Sequence, residues 1–374
     1  MSEFTLPIFI LFGKNQLGLS YFQAGSFYIA TYATYTVLDF FGGTLADRFG
    51  RKRAFIAGVG LRFIGYLPFV ITKSYPLLLL SSIVVGLGLA LSSNSLDALV
   101  FEQSKAQDKK EHYQHGVANV QIFSFMGRIY ASIVGGLVYI VSPTLPFFLT
   151  YVAILLALLV GAQTKFEVEG VTAAETKDVG ISRAAISVYK QHHQLIKFVL
   201  VVALGTFIAD LIFSYYQPYY IKIGVSAGTL GFIYAGISVC SALGAYSMKK
   251  LPNKLSPHTI NSLNIALVII TSLVLYSLKI PFVYVAPLIM GLGSGLVIPN
   301  LKVFINHHAP NRVRASVLSM ATTTKSLGTV AAMLVAYSLA DVSYPRRVIG
   351  IVIVVATILL AFNVFIKTKE EANL

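Results

Sequence analysis

The chain has 374 residues, of which 56% are hydrophobic and 12% charged, with a formal net charge of +14. So little polar surface cannot coat a soluble globule of this length, and the composition is that of an integral membrane protein. A charge of this sign would suit nucleic acid, but the basic residues stand in short clusters between apolar segments, so the expected surroundings are a lipid bilayer and no nucleic acid.

Crossing a hydrocarbon layer of roughly 30 Å takes about 20 apolar residues, and such stretches recur along the whole chain. In chain order the pattern predicts a short stub at 4–13 and then eleven complete spans: 20–42, 53–72, 75–101, 113–141, 144–163, 194–221, 228–248, 259–278, 281–305, 315–340 and 345–366. The fold expected is all-α. Gly18-Leu19-Ser20 followed by Gly25 is echoed by Gly224-Val225-Ser226 followed by Gly231, which points to an internal duplication. In that alignment Pro7 corresponds to Pro218, yet Pro7 has only six residues before it. The first helix is therefore expected to lack its cytoplasmic half, either because the start lies upstream of Met1 or because the helix is shortened. Residues 1–163 form an expected N-terminal bundle and 193–374 a C-terminal one. Between them, 164–192 is a polar linker with Glu167, Glu169, Glu175 and Asp178. It leads into a basic, amphipathic run from Arg183 to Lys197 suited to an anionic leaflet.

The densest charge cluster is Gly43-Thr44-Leu45-Ala46-Asp47-Arg48-Phe49-Gly50-Arg51-Lys52-Arg53, read as a turn of about ten residues between two membrane helices. Glycine admits close helix approach, Asp47 falls where one helix ends, and Arg51 one turn later is placed to meet a carboxylate of another helix. Setting this turn in the cytoplasm puts the bulk of the 29 Lys and Arg residues on that side, with Lys14, Lys73, Lys222, Lys279, Arg346 and Arg347 outside. The positive-inside bias thus places the linker and the C-terminus in the cytoplasm of a multi-pass protein of the cell membrane. The single cysteine, Cys240, excludes an internal disulfide or a cysteine-based metal site. All seven histidines fall in or beside cytoplasmic loops, which argues against a buried histidine relay.

The run from Gly43 resembles the signature loop G-x-L-A-D-R-x-G-R-K between the second and third helices of the major facilitator superfamily. Ser93-Asn94-Ser95-Leu96-Asp97-Ala98-Leu99-Val100-Phe101-Glu102 is similar to the fourth-helix pattern S-G-x-L-E-A-L-x-Y-D of a drug-efflux-like subset, with Asn94 where the pattern has glycine. Pro310 to Ser319 resembles the P-x-x-x-R-A-x-x-L-S stretch that opens the eleventh helix. In the second half the signature loop is reduced to Lys249-Lys250-Leu251-Pro252-Asn253-Lys254, and Gly127, Gly135 and Gly136 of the fifth helix lack the Gly-Pro pairs of drug antiporters. The resemblance implies two six-helix bundles related by pseudo-two-fold symmetry, opening alternately to each side. It also implies that the motif arginine pairs with an acid at the end of the fourth helix. Gly43, Asp47, Arg48, Gly50, Arg51 and Glu102 are thereby expected to form a cytoplasmic gate motif, with Asp47, Arg51 and Glu102 as its latch. Family members are usually monomeric, so a monomer is expected.

An ionisable group inside a bilayer costs several kcal/mol unless paired or hydrated, so each is a functional candidate. Asp39 lies two turns before Asp47, Asp97 about 7 Å inside Glu102 and Arg62 about 13 Å inside Arg53, at 1.5 Å per residue. Two acids and one base can thus share a layer, either as a proton switch whose neighbour moves between states or as a static ion-pair network. Asp210 sits near the middle of its span, flanked by Leu211, Ile212 and Phe213; Lys325 is its expected partner and Arg128 holds a comparable place in the fifth helix. Asp210 is read as a proton-coupling or substrate-binding residue, or as half of a structural pair with Lys325. Lys302 is close enough to a span end to snorkel and is given no role. Tyr215, Tyr216, Tyr219 and Tyr220 read first as an interfacial aromatic belt and second as a stacking surface for a planar or cationic substrate, with Asn300 and Asn94 as polar contacts.

The function expected is secondary transport by alternating access: export of a small, amphipathic or cationic compound, with the proton as coupling ion. A proton symporter or facilitator of a small solute is the alternative within that class, and a non-transporting receptor on a transporter fold the alternative outside it. No G-x-x-x-x-G-K-[ST] loop, Ser-His-Asp set or metal-binding cluster is present in the sequence, so neither an enzyme nor a metal or organic cofactor is expected.

Overall fold

The structure, a computed structural model, describes residues 4–106, 110–164, 193–248, 251, 255–277, 282–309, 314–342 and 344–371. Side chains are described over the same residues except 39–49, 94, 96–98, 100–119, 121, 193, 314–316 and 367–371. The described residues form helices and no strand. In chain order these are α1 (Phe9–Leu17), α2 (Tyr21–Phe49), α3 (Arg51–Ile71), α4 (Tyr75–Ala106), α5 (Lys110–Val141), α6 (Leu145–Gln163), α7 (His193–Lys222), α8 (Ala227–Ser247), α9 (Pro257–Ser277), α10 (Phe282–His308), α11 (Arg314–Val342) and α12 (Pro345–Glu371).

Ten of these, α3 to α12, are long and apolar enough to cross a membrane among the described residues. The remaining expected span, 20–42, falls within α2, a helix of 29 residues whose side chains are described only as far as Leu38. The stub shifts, from 4–13 to a helix of 9 residues at Phe9–Leu17. More consequential is the signature run. It is not a ten-residue turn: α2 stays helical through Phe49, and the link to α3 is Gly50 alone. Gly50 has φ 87°, a backbone conformation that costs a side-chain-bearing residue on the order of 1–3 kcal/mol, so the reversal needs glycine there. The linker 164–192 falls, apart from Thr164, outside the described residues.

The repeated Gly-x-Ser elements are realised in the same way in both places. Gly18 and Gly224 have φ 66° and 78° at the ends of α1 and α7. Past them, the Leu19 N–H donates to the Gly13 carbonyl at 3.1 Å and the Val225 N–H to the Tyr220 carbonyl at 3.0 Å. Each glycine stops a helix by going left-handed while the following amide satisfies a terminal carbonyl.

The chain divides into two compact units. In the first, α3 packs on α4 and α6, and α5 on α4 and α6. Short as it is, α1 is buried from Phe9 to Gly13. Phe9 is the reason: its ring lies 5.9 Å from Phe27, 5.5 Å from Phe69 and 5.6 Å from Phe147, so one side chain of α1 ties α2, α3 and α6 together. A close backbone approach joins α3 to α4. A Cβ on Gly88 would stand 2.5 Å from the Gly58 carbonyl oxygen and 2.7 Å from Arg62 Cγ, so only glycine lets these backbones meet. In the second unit, α9 packs on α10 and α12 and α7 on α11. Its core joins Leu195, Phe198 and Val202 of α7 to Leu301 and Phe304 of α10, with the Phe198 and Phe304 rings stacked at 3.7 Å.

Candidate functional site

The residue with the clearest chemistry is Asp210, midway along α7 in the second unit. The helix places it by simple periodicity: Phe207 and Leu211 flank it, and on α11 Gly328 comes within van der Waals range of the Ala203 carbonyl and Phe207, one to two turns before Asp210. There α11 runs alongside α7, and the next side chain, Thr329, reaches across. Its Oγ1 donates to Asp210 Oδ2 at 2.5 Å. The same hydroxyl lies 3.3 Å from the carbonyl of Lys325, four residues back on its own helix. A hydroxyl has one proton, so Thr329 donates either to the carboxylate or to its own backbone. Lys325, one turn from Thr329, acts on Asp210 through space as the nearby cation. The expected partner of Asp210 was Lys325; the direct hydrogen bond comes from Thr329. A threonine one turn from a mid-span lysine was the signal that sequence reasoning missed.

Other sequence candidates fall elsewhere. Arg62 is 0% exposed, its stem laid over Gly88 in the α3–α4 contact. Asp39 and Asp97, its proposed companions, have side chains outside the described residues, as do Gly43, Asp47, Arg48, Asn94 and Glu102. The backbone sets 39–49 on the last turns of α2 and Glu102 near the end of α4. Gly50 is exposed and Arg51, the first residue of α3, is half-buried. Arg128 is exposed on α5, with its guanidinium 5.9 Å from the Phe125 ring centroid one turn before it. Lys302 is exposed on α10.

Two readings are corrected, and Asn300 is placed. The α7 tyrosines are no interfacial belt: Tyr215, Tyr216, Tyr219 and Tyr220 are at most 2% exposed. Tyr216 lies 5.4 Å from Tyr220 and 5.7 Å from Tyr234, Gln217 donates to the Tyr234 hydroxyl at 3.1 Å, and the Tyr220 hydroxyl donates to the Val283 carbonyl. Tyrosine suits such an interior because its ring fills space, and at Tyr220 the hydroxyl also finds an acceptor. Asn300, expected as a polar contact to substrate, lies in the interior. It is 2% exposed and its amide donates to the Pro257 carbonyl at 2.9 Å, so it holds the start of α9 against α10. And one histidine is buried after all: His258, the second residue of α9, packs edge-on against Phe198 at 4.9 Å. Asn363 of α12 donates to the His258 carbonyl at 2.9 Å and to Ser262 Oγ at 2.7 Å. Helix ends and helix packing decide these placements, which hydropathy alone does not resolve. Among the described residues no group of three or more His, Cys, Asp or Glu side chains is arranged to hold a metal ion.

A bundle of long apolar helices with an acid and a base held at mid-span defines a multi-pass membrane protein of the transporter kind. Residues 1–333 match the Major Facilitator Superfamily, and the chain belongs to that superfamily of transporters. Among curated proteins it is 24% identical over 144 residues to the quinolone resistance protein NorA of Staphylococcus aureus (strain MRSA252), covering 38% of this chain and 35% of that one. It is 29% identical over 139 residues to the glucose transporter GlcP of Staphylococcus epidermidis, covering 37% and 31%. The match thus spans about a third of the length of these relatives. Among solved structures it is similar to the nucleoside transporter NupG, with a TM-score of 0.82 over 96% of this chain and 94% of that one at 12% identity. The POT family transporter PepTSo gives a TM-score of 0.76 over 99% and 95% at 12% identity. At these identities the structural likeness defines the fold alone.

Proposed function

We propose that this protein is a proton-coupled exporter of a small amphipathic or cationic compound, with Asp210 as the proton carrier. The observation that carries the reading is the Thr329 hydroxyl poised between the Asp210 carboxylate and the Lys325 carbonyl. When Asp210 is ionised, Thr329 donates to it. When Asp210 takes a proton it becomes a donor itself, and Thr329 turns back to its own helix. Proton binding thereby changes a contact between α7 and α11, which is the kind of differential contact that a coupled conformational change requires. Lys325 keeps the ionised form from being an isolated charge in the membrane. Export is supported by the partial similarity to a quinolone resistance protein. The latch of Asp47, Arg51 and Glu102 at the cytoplasmic ends of α2 to α4 belongs to the same reading, as does a monomer working in the cell membrane.

The test is substrate-induced proton movement in everted vesicles carrying the protein, followed with a pH-sensitive dye against a panel of lipophilic cations, sugars and organic anions. The expected result is dequenching by a compound in the wild type that is lost in Asp210→Asn, while substrate exchange without a gradient persists in the variant. Unchanged proton movement in Asp210→Asn removes Asp210 from the mechanism. Sugar uptake that consumes the gradient would replace export by symport.

A further inference from the structure

Helix α10 carries a proline in its second turn, and the carbonyl which that proline leaves without a partner is met from another helix. Pro287 has no N–H, so the Val283 carbonyl, four residues before it, lacks the amide that would close this rung of the helix. Val283 is 1% exposed, so the replacement donor has to come from the protein. It comes from α7: the Tyr220 hydroxyl, on a residue 0% exposed, donates to the Val283 carbonyl. Tyr220 is fixed for this task. Its own carbonyl accepts the Val225 N–H at 3.0 Å where α7 ends, and its ring stands 5.4 Å from Tyr216 and 5.6 Å from Tyr219. Nearby on α10, the Ala286 carbonyl accepts the Thr271 hydroxyl of α9 at 3.3 Å.

Past Pro287 the attachments of α10 change. A Cβ on Gly291 would stand 2.8 Å from the Ile237 carbonyl oxygen and 3.1 Å from Cys240 Cβ, so the middle of α10 lies backbone to backbone on α8. The Ser294 and Ser241 hydroxyls meet 2.9 Å apart along the same seam. Phe282–Ala286 is thus held by α7 and α9 and the middle of α10 by α8, with the missing rung between the two anchorages. All of these residues belong to the second unit. We propose that Tyr220 and Pro287 act as a pair: the hydroxyl replaces the amide that proline removes, and the first turn of α10 is a body that follows α7, pivoting at Pro287 on the segment seated on α8. A proline is tolerated in a membrane helix where a neighbouring helix satisfies the freed carbonyl. Without the Tyr220 hydroxyl that carbonyl is buried and unbonded, which costs more than the bond itself contributes. The pair ties the first turn of α10 to the helix that carries Asp210, and its contacts stand whatever compound is transported and whichever ion is coupled.

A double-mutant cycle read by hydrogen exchange of the purified protein in lipid nanodiscs tests the pair without any substrate. Exchange over 282–289 in Tyr220→Phe is expected to be about tenfold faster than in the wild type, while 290–298 stays within about twofold. Pro287→Ala supplies the amide that Val283 lacks, so adding Tyr220→Phe in that background is expected to change exchange over 282–289 by less than about twofold. An equal effect of Tyr220→Phe in both backgrounds overturns the pair, as does no effect in either. Faster exchange along the whole of α10 in Tyr220→Phe means that the helix moves as one body, and overturns the pivot. If Pro287→Ala does not yield folded protein, Tyr220→Phe is compared with Tyr284→Phe, which removes a hydroxyl from α10 itself beside Val283. Only Tyr220→Phe is then expected to speed exchange over 282–289, and equal rates in the two variants overturn the pair. Because no readout involves transport, loss of the proton-export reading leaves these results interpretable.

Discussion

Asp210 and Thr329 face each other across α7 and α11 with a single hydroxyl proton to donate, and the energetics of that pair can be isolated by two substitutions at Thr329, one nearly isosteric and one that keeps the hydroxyl. Thr329→Val keeps the shape and removes the donor, leaving the carboxylate short of one charge-assisted hydrogen bond, which contributes about 1.5–3 kcal/mol. Gradient-driven transport in Thr329→Val is expected to fall by about tenfold or more, and Thr329→Ser, which retains the hydroxyl, to stay within about threefold of wild type. Initial rates in proteoliposomes with an imposed pH gradient make the comparison. Equal activity of the valine variant would mean that the hydroxyl rests on its own helix at the Lys325 carbonyl throughout the cycle.

At the scale of helices, glycines do unequal work on one face and another of α3. Gly58 and Gly88 let α3 and α4 touch backbone to backbone, whereas a Cβ at Gly60 would meet nothing within 4 Å. Gly88→Ala forces a methyl against the Gly58 carbonyl and the Arg62 stem, an overpacking that costs about 1–3 kcal/mol. Gly60→Ala at an open position gains helix propensity of up to about 1 kcal/mol. The melting temperature in detergent is therefore expected to fall for Gly88→Ala and to hold or rise for Gly60→Ala. The same pressure explains why Arg62 is placed where it is: with two glycines removing bulk, its aliphatic stem fills the groove between the helices while the residue is 0% exposed.

For the molecule as a whole, the arrangement of charge makes a claim about orientation. Lys73 lies between α3 and α4, and the residues after α12 follow an even number of crossings from the signature run's side. A reporter fused after Leu374 is expected to be active on the cytoplasmic side, and Lys73→Cys in a Cys240→Ser background to be labelled by a membrane-impermeant maleimide from outside the cell. Labelling of Lys73→Cys only after permeabilisation would invert the assignment. The large apolar side chains left exposed, such as Phe123, Ile140, Val354 and Phe365, fit this setting, since a bilayer supplies the cover that water does not.

Most of the helical plan was legible in the sequence because it depends on quantities a sequence carries directly: the length of an apolar run against the thickness of a bilayer, and the position of glycine where a helix must stop. Gly18, Gly50 and Gly224 end or separate helices for a reason internal to their own backbones. Asp210 stood out for the same kind of reason, as a carboxyl with no acidic neighbour in an apolar mid-span segment. What depended on contacts between distant segments was decided only by the tertiary structure. Hydropathy could not distinguish a tyrosine at a membrane interface from one in a protein interior, since both want an apolar body and a polar tip; the structure buries all four, with Tyr216 against Tyr234 of α8 and Tyr220 against Val283 of α10. Nor could spacing name Thr329 over Lys325 as the donor to Asp210, because hydrogen bonds reach only about 3 Å and which groups fall within that reach is a property of how helices pack.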